Sequence, residues 1–410
     1  MIVVQKYGGT SVADTDRIVK VAERIAAAKK AGNDVVVVVS AMGKSTDRLT
    51  QQALEIAAIP PARELDMLLT AGERISMALL AMAIGEEGFT ARSFTGSQAG
   101  IITDAAHGKA RIIDITPGRI TDALGEGHIV IVAGFQGVSR ESKDITTLGR
   151  GGSDTTAVAL AGALDAELCE IYTDVDGVYT ADPRLAPKAR RLEAVTHEEM
   201  LELAASGAKV LQVRAVEYAR NHGVRLHVRS SFSHQDGTWV EKDGTMEQAI
   251  ISGVAHDTSE GKLVVRGVPD KPGVAARIFT GLADANINVD MIVQNVSADG
   301  TTDVSFTVPV ADGPRALALL EELRAEVGLG EIVFDDAIAK VSLVGAGMKT
   351  HPGVAATMFA ALSDAGVNIE MISTSTIRVS VVVRREQVER AVQAVHDAFA
   401  LDAEQTAVVR

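Results

Sequence analysis

The chain has 410 residues, room for two or three domains, and 47% of them are apolar, ample for packed cores. Its 40 lysines and arginines against 54 aspartates and glutamates leave a formal charge of −14, which argues against a nucleic-acid or anionic-membrane surface but permits a local cationic pocket. Aromatic residues at 3% weaken any base-stacking role, and the single cysteine, Cys169, excludes an intrachain disulfide.

Ile2 to Gln5 reads as a short buried strand, and Lys6-Tyr7-Gly8-Gly9-Thr10-Ser11 as the glycine turn after it. This start lacks the pattern of a signal peptide, and no uninterrupted apolar run reaches membrane-span length, so a cytoplasmic protein is expected. Asp16 to Ala31 has the helical period, with Ile18, Val21, Ala22 and Ile25 on one face and Gly32 as the stop. Val35 to Val39 is a β-branched run buried on both faces, as in a parallel sheet, and the polar loop Ser40 to Thr46 closes it. Helices follow, broken at Pro60-Pro61, one of them carrying Thr70-Ala71-Gly72-Glu73-Arg74. Ile129 to Ala133 is another buried strand, ending at Gly134-Phe135-Gln136-Gly137.

The stretch Leu148 to Leu160 begins as a glycine-rich turn, Gly149-Arg150-Gly151-Gly152, and continues as a helix that Ser153 or Asp154 can cap. A helix start offers free N–H groups to an anion, and Arg150 adds a fork of donors matched to a carboxylate or phosphate. Asp154 would repel that anion, and fits best near a lysine or Mg²⁺. A strand over Leu168 to Tyr172 encloses Cys169 as a buried structural thiol and opens into the loop Thr173 to Arg184. A helical hairpin from His197 to Asn221 and a strand at Arg225 to Val228 follow; Ser230 to Gly244 reads as a polar linker. Strands alternating with helices predict an α/β fold with a mainly parallel sheet, whose ligands bind outside the carboxyl ends of the strands, where the polar loops cluster. His107, His128 and His197 show no metal-ligand spacing and read as structural or surface residues.

Beyond the linker lies an internal repeat. Pro272-Gly273-Val274-Ala275-Ala276 recurs 80 positions later as Pro352-Gly353-Val354-Ala355-Ala356, and the same offset pairs Phe279 with Phe359, Asn288 with Asn368 and Met291-Ile292 with Met371-Ile372. Each copy reads as a ferredoxin-like βαββαβ unit. Its Pro-Gly turn sets a helix start whose N–H groups suit an amino acid's carboxylate. In the first copy Asp270, Lys271, Pro272, Gly273, Val274 and Ala275 form that turn, and Asn288, Val289, Asp290 and Gln294 could satisfy an ammonium and a side chain. Val354, Ala355, Asn368, Ile369, Ser375 and Thr376 occupy the corresponding region of the second.

The Lys6–Ser11 turn, the Leu148–Leu160 stretch and the Thr173–Arg184 loop together resemble the aspartate kinases of the amino-acid kinase family, and the doubled unit resembles their paired ACT domains. The resemblance runs end to end and implies an amino-acid kinase domain over 1–245 and ACT domains over 246–336 and 337–410. It implies transfer of the ATP γ-phosphoryl to the side-chain carboxylate of L-aspartate, giving 4-phospho-L-aspartate on the way to lysine, threonine, methionine and isoleucine. In that reading Lys6 neutralises the transferring phosphoryl, Gly8 and Gly9 offer N–H groups to ATP, and Asp154 orients Lys6 or the metal-bound phosphates. Arg150 clamps a substrate carboxylate beside Ser153, while Ser40, Thr46 and Glu73 hold the rest of aspartate, Glu73 its ammonium. Thr173, Asp174, Tyr179, Arg184 and Lys209 line the nucleotide site. Mg²⁺ is held chiefly by phosphates and water rather than by a protein site.

The same resemblance implies threonine and lysine as effectors, acting together at the ACT units, and a homo-oligomer or an assembly of large and small subunits with a short subunit starting at Met246. The second unit departs from the family at Thr376, where relatives commonly carry glutamate, which leaves the inhibitor set open. Two other functions compete: another amino-acid kinase, such as a glutamate or acetylglutamate kinase, and an amino-acid sensor with a dead kinase domain. Glu73, the Arg150 loop and the ACT pair speak against the first; intact Lys6, Arg150 and Asp154 speak against the second.

Overall fold

The computed structural model describes residues 1–242, 250–295 and 300–403. The chain packs as two compact units. The first contains Met1–Val178, Arg191–Ala204 and the stretch that begins at Lys209; the second contains Tyr179–Arg190, Ala205–Ala208 and the remainder.

In chain order the first unit's strands are β1 (Ile2–Tyr7), β2 (Asp34–Val39), β3 (Ala91–Phe94), β4 (Ile101–Thr103), β5 (Ile112–Ile115), β6 (Ile129–Ala133), β7 (Gln136–Ser139), β8 (Ile145–Thr147), β9 (Leu168–Thr173), β10 (Ala194–Thr196), β11 (Leu226–Ser230) and β12 (Thr238–Glu241). Its helices are α1 (Thr15–Lys30), α2 (Ser45–Ile56), α3 (Ala62–Leu69), α4 (Ala71–Glu86), α5 (Gly118–Gly125), α6 (Gly152–Ala163), α7 (His197–Ala205) and α8 (Val213–His222). An eight-stranded sheet runs in the order β10-β12-β11-β9-β1-β2-β6-β3, parallel except where β12 meets β11. The valine run of β2 is fully buried, as its continuous β-branched character requires of a central parallel strand. Helix α1 buries the predicted face, and Asp14 caps it by accepting from the Arg17 N–H at 2.9 Å.

A smaller sheet, β5-β4-β7-β8, stands apart from the large one. This corrects one expectation: the Leu148–Gly151 loop leaves β8 of the small sheet, while the loops after β1, β2, β6 and β9 leave the large one. A second correction concerns 230–244. Its Thr238-Trp239-Val240 core is a strand, β12, with Trp239 stacked on His227 at 3.9 Å, so the expected linker contains a strand of the large sheet. The run Ala62–Glu86 is long and apolar enough to cross a membrane by length and composition. It carries Asp66 and Glu73, both buried and hydrogen-bonded to neighbouring loops, which marks a core element of the unit.

In the second unit the elements are β13 (Gly253–Asp257), β14 (Glu260–Pro269), α9 (Val274–Asp284), β15 (Asp290–Gln294), β16 (Thr301–Pro309), α10 (Gly313–Val327), β17 (Ile332–Asp335), β18 (Ile338–Val344), α11 (Val354–Asp364), β19 (Met371–Thr374), β20 (Arg378–Arg384) and α12 (Val388–Ala398). The first repeat is a contiguous βαββαβ unit with sheet order β15-β16-β14-β17 around Leu263, Ile278, Leu282, Phe306 and Leu320. The second has the order β13-β18-β20-β19, so its outer strand comes from upstream of the first repeat, antiparallel to β18. The expected division at 246, 336 and 337 follows the sequence; the sheets interleave across it. Ala181 and Ala186 also join the second repeat's core, with Thr180 Oγ1 3.0 Å from His396 Nε2 of α12. Met291, Ile338, Met371 and Val382 form a small core between the repeats, flanked by the Lys340–Asp290 pair at 2.8 Å.

Candidate active site

The site is built on strand ends. Tyr7 and Tyr172 are register partners in β1 and β9, and their rings stack 4.7 Å apart, which levels the points where Gly8 and Asp174 leave the sheet. Strand alternation turns Lys6 to the face opposite Tyr7. There its Nζ lies 2.6 Å from Asp154 Oδ1 on the first turn of α6, with the two side chains only 11% and 8% exposed. A Cβ on Gly8 would sit 3.3 Å from Lys6 Nζ, so the turn closes over the ammonium. The Gly8 N–H itself donates to the Tyr172 carbonyl at 3.3 Å, so it is engaged rather than held ready for a phosphate. Gly9 has no room for a side chain: its Cβ would meet the Ala41 carbonyl at 2.9 Å.

Helix α6 starts differently from the expected cap. Gly151, at φ 71°, is the N-cap, and a Cβ there would fall 1.8 Å from the Gln212 side chain. Ser153 and Asp154 lie inside the first turn, buried, and neither side chain caps the helix. Their positions still follow from the helix: Asp154 sits where a carboxylate complements the dipole, and Ser153 packs where a Cβ on Gly134 would be 2.7 Å from its Oγ.

A second wall comes from α4. Glu73 is buried, and its Oε1 accepts from the Ala41 N–H at 3.2 Å. Its Oε2 has no partner among the described residues. Desolvation pushes the Glu73 carboxyl up to about 7, with the backbone N–H groups of Glu73 and Ala41 partly opposing it. Ser76 Oγ donates to the Ser40 carbonyl at 2.7 Å, and Gln136 donates to the Thr70 carbonyl at 3.3 Å, tying the helix to the loops after β2 and β6. A cavity of about 430 Å³ opens beside this wall, lined by Ala13, Met42, Gly43, Lys44, Arg48 and Ile75.

The remaining expected residues are dispersed. Arg150 is 95% exposed and 3.9 Å from Asp47 of α2. Thr46 is half-buried on the first turn of α2, and Lys209 is exposed in the turn between α7 and α8. Thr173 Oγ1 donates to Asp174 at 3.3 Å. Tyr179 and Arg184 fall in the segment that packs with the second unit, where Arg184 pairs with Asp182 at 2.6 Å and holds that carboxyl below its ordinary value. In the repeats, α9 and α11 both start at positive-φ glycines, Gly273 and Gly353, as the matched Pro-Gly turns predict. Asp270, Lys271, Asn288, Gln294, Asn368, Ser375 and Thr376 are exposed. Asp290 is committed to Lys340; burial would raise its carboxyl, and that ammonium outweighs burial and leaves it lowered. Met246 lies outside the described residues.

Sequence reasoning missed Asp66, Gln136, Gln212 and Arg214, which hold these loops by hydrogen bonds or packing. A lone carboxylate inside Leu65-Asp66-Met67-Leu68-Leu69 was a usable signal for the first of them.

Comparison with known proteins matches residues 1–230 to the amino acid kinase family, and residues 263–328 and 341–399 each to an ACT domain. Aspartokinase of Mycolicibacterium smegmatis is 60% identical, and that of Corynebacterium glutamicum 59%, each over 100% of this chain and 98% of the relative. The crystal structure of Escherichia coli aspartokinase III with aspartate and ADP, in the R-state, superposes with a TM-score of 0.82 at 28% identity, covering 97% of this chain and 99% of that one. The same enzyme with lysine and aspartate, in the T-state, gives 0.74 over the same shares.

Proposed function

This chain belongs to the aspartokinase family, and we propose from that premise which of its residues carry the reaction and its control. It is an aspartate kinase: it transfers the γ-phosphoryl of ATP to the β-carboxylate of L-aspartate, and its ACT domains make it an allosteric enzyme of amino-acid biosynthesis.

Phosphoryl transfer asks for positioning and charge neutralisation more than covalent help. The β-carboxylate is ionised at pH 7, so no general base is needed. The observation that carries the assignment is the enclosed Lys6–Asp154 pair at a parallel strand's carboxyl end. Asp154 aims the ammonium, and Lys6 neutralises the oxygens of the moving phosphoryl. Gly9 and the first turn of α6 supply close backbone approach. Arg150 clamps a substrate carboxylate beside Ser153, and Ser40 and Thr46 complete the aspartate pocket. Thr173, Asp174 and Lys209 serve the nucleotide. Mg²⁺, supplied with ATP, adds charge neutralisation on the phosphates. It is a hard cation that keeps phosphate and water oxygens, and the committed Asp154 leaves it there.

Glu73 is assigned to the substrate ammonium, and its raised carboxyl gives the assignment a pH signature. Without substrate the group is protonated below about pH 7. Binding an ammonium needs the ionised form, so the aspartate KM rises as pH falls below 7, approaching about tenfold per unit. The sign for stability is opposite: the unliganded fold weakens as pH rises from 4.5 towards 7, because the unfolded chain ionises first. Glu73→Gln removes the pH dependence and raises KM by roughly 10–100-fold, the range of a lost charge-assisted hydrogen bond. A wild-type KM that is flat between pH 6 and 8 contradicts this role.

Control is assigned to the two Pro-Gly helix starts, with lysine, the ligand of the T-state E. coli relative, and threonine acting together. Asp270 and Lys271 stand exposed at the first of them. Activity measured across a lysine-by-threonine grid is expected to fall furthest with both present, and Asp270→Ala to shift inhibition to higher effector concentration. Thr376→Glu is expected to shift it the other way. A flat grid, with no heat of binding for either amino acid, would remove this assignment and leave the kinase intact. Ile292, Val293 and Ile372 are exposed on edge strands β15 and β19, which supports assembly of several chains, or of large and small subunits, through the repeats. We place the enzyme in the cytoplasm.

A further inference from the structure

Arg150 is nearly fully exposed and lies only loosely against Asp47, at 3.9 Å, so its position is set by the backbone that carries it. That backbone is unusually well held. Asp66 of α3, which is buried, accepts from the Thr147 hydroxyl at 2.6 Å and the Thr147 N–H at 3.1 Å. The same carboxylate accepts from the Gly108 N–H at 3.1 Å and lies 2.8 Å from His107 Nδ1, in the turn between β4 and β5. The Thr147 carbonyl accepts from the Ala110 N–H at 2.9 Å, and the Leu148 N–H donates to the Phe135 carbonyl at 2.8 Å. Arg214 of α8 then bridges the two segments, donating to the Leu148 carbonyl at 2.7 Å and the Ala110 carbonyl at 3.0 Å. A Cβ on Gly149 would meet the Gly108 carbonyl at 2.9 Å, so the next residue lies directly against that turn.

We infer that Asp66 and Arg214 are positioning residues for Arg150: one carboxylate and one guanidinium, from helices far apart in sequence, clamp the 147–149 backbone onto the 105–110 turn and set where Arg150 meets the substrate. The inference rests on the assignment of Arg150 to a substrate carboxylate. A burial this costly for a carboxylate is supported by its donors, which would be met by a donor in place of an acceptor if Asp66 were an amide. Lysine at 214 keeps the charge but cannot reproduce a planar fork spanning two carbonyls.

The test is steady-state kinetics of the full-length enzyme carrying Asp66→Asn, Arg214→Lys, Arg150→Ala, and each of the first two combined with the third. Asp66→Asn and Arg214→Lys should each raise the aspartate KM by roughly 10–100-fold, the scale of a misplaced binding group, with the ATP KM unchanged. In the Arg150→Ala background neither should raise it further, because the group they position is gone. A purely structural role would move both substrates' KM or add fully to Arg150→Ala, and either result overturns the inference. So does a wild-type aspartate KM in both single variants while Arg150→Ala is impaired. If Arg150→Ala itself keeps the wild-type KM, the assignment of Arg150 falls instead. Should Asp66→Asn fail to fold, Arg214→Lys, at a half-buried site, decides alone.

Discussion

Lys6→Met is expected to lower kcat by on the order of 100–1,000-fold while the KM values for aspartate and ATP change little. That is the usual cost of removing one cationic or hydrogen-bonding group aimed at charge that develops in the transition state. Lys6 qualifies because it sits on the last turn-free residues of a central strand, is almost enclosed, and is aimed by Asp154 at 2.6 Å. The change also strands a buried carboxylate, and breaking such a pair typically costs about 3–5 kcal/mol. Lys6→Met should therefore lower the melting temperature, and adding Asp154→Asn should restore it without restoring turnover. Recovery of activity along with stability would mean that the pair is structural and the chemistry lies elsewhere.

Arg150→Ala is expected to act on binding. Loss of a bidentate, charge-assisted contact to a carboxylate is worth roughly 1.5–3 kcal/mol, a rise of about 10–100-fold in aspartate KM, with kcat close to wild type. The side chain is 95% exposed in the unliganded chain, so thermal stability should stay within about 0.5 kcal/mol of wild type. Glutamate, longer by one methylene, should remain a poor substrate in this variant. A fall in kcat without a change in KM would move Arg150 from substrate binding to the transferring phosphoryl.

Much of this architecture could be read before the structure because it is local. The valine run of β2, the helical period of α1 and the repeat that recurs as α9 and α11 each declare themselves within a short window. The chemistry-bearing loops were legible for a similar reason, since glycines and polar residues interrupt otherwise apolar strands. What escaped was non-local. Gly253–Asp257 carries no mark of its partner, and only the fold shows that it completes the second repeat's sheet across the whole of the first. Thr238–Glu241 is short and sits among polar residues, so its β-forming core was outweighed by the surrounding composition. The start of α6 offered two good capping side chains, but a left-handed glycine took the cap because the backbone had to turn against Gln212. Asp66 and Arg214 lie on helices far apart in sequence and meet only through the loops they hold.

The central claim, that Lys6 serves the transfer step and Arg150 the substrate, is tested most directly by single-turnover formation of aspartyl phosphate, trapped as the hydroxamate, over a range of aspartate concentrations with Mg²⁺ and saturating ATP. The account predicts that the wild type and Arg150→Ala reach nearly the same limiting rate, the latter only at much higher aspartate. Lys6→Met should stay on the order of 100–1,000-fold slower at every concentration. Equal limiting rates for all three proteins, or a Lys6→Met defect that high aspartate overcomes, would contradict it.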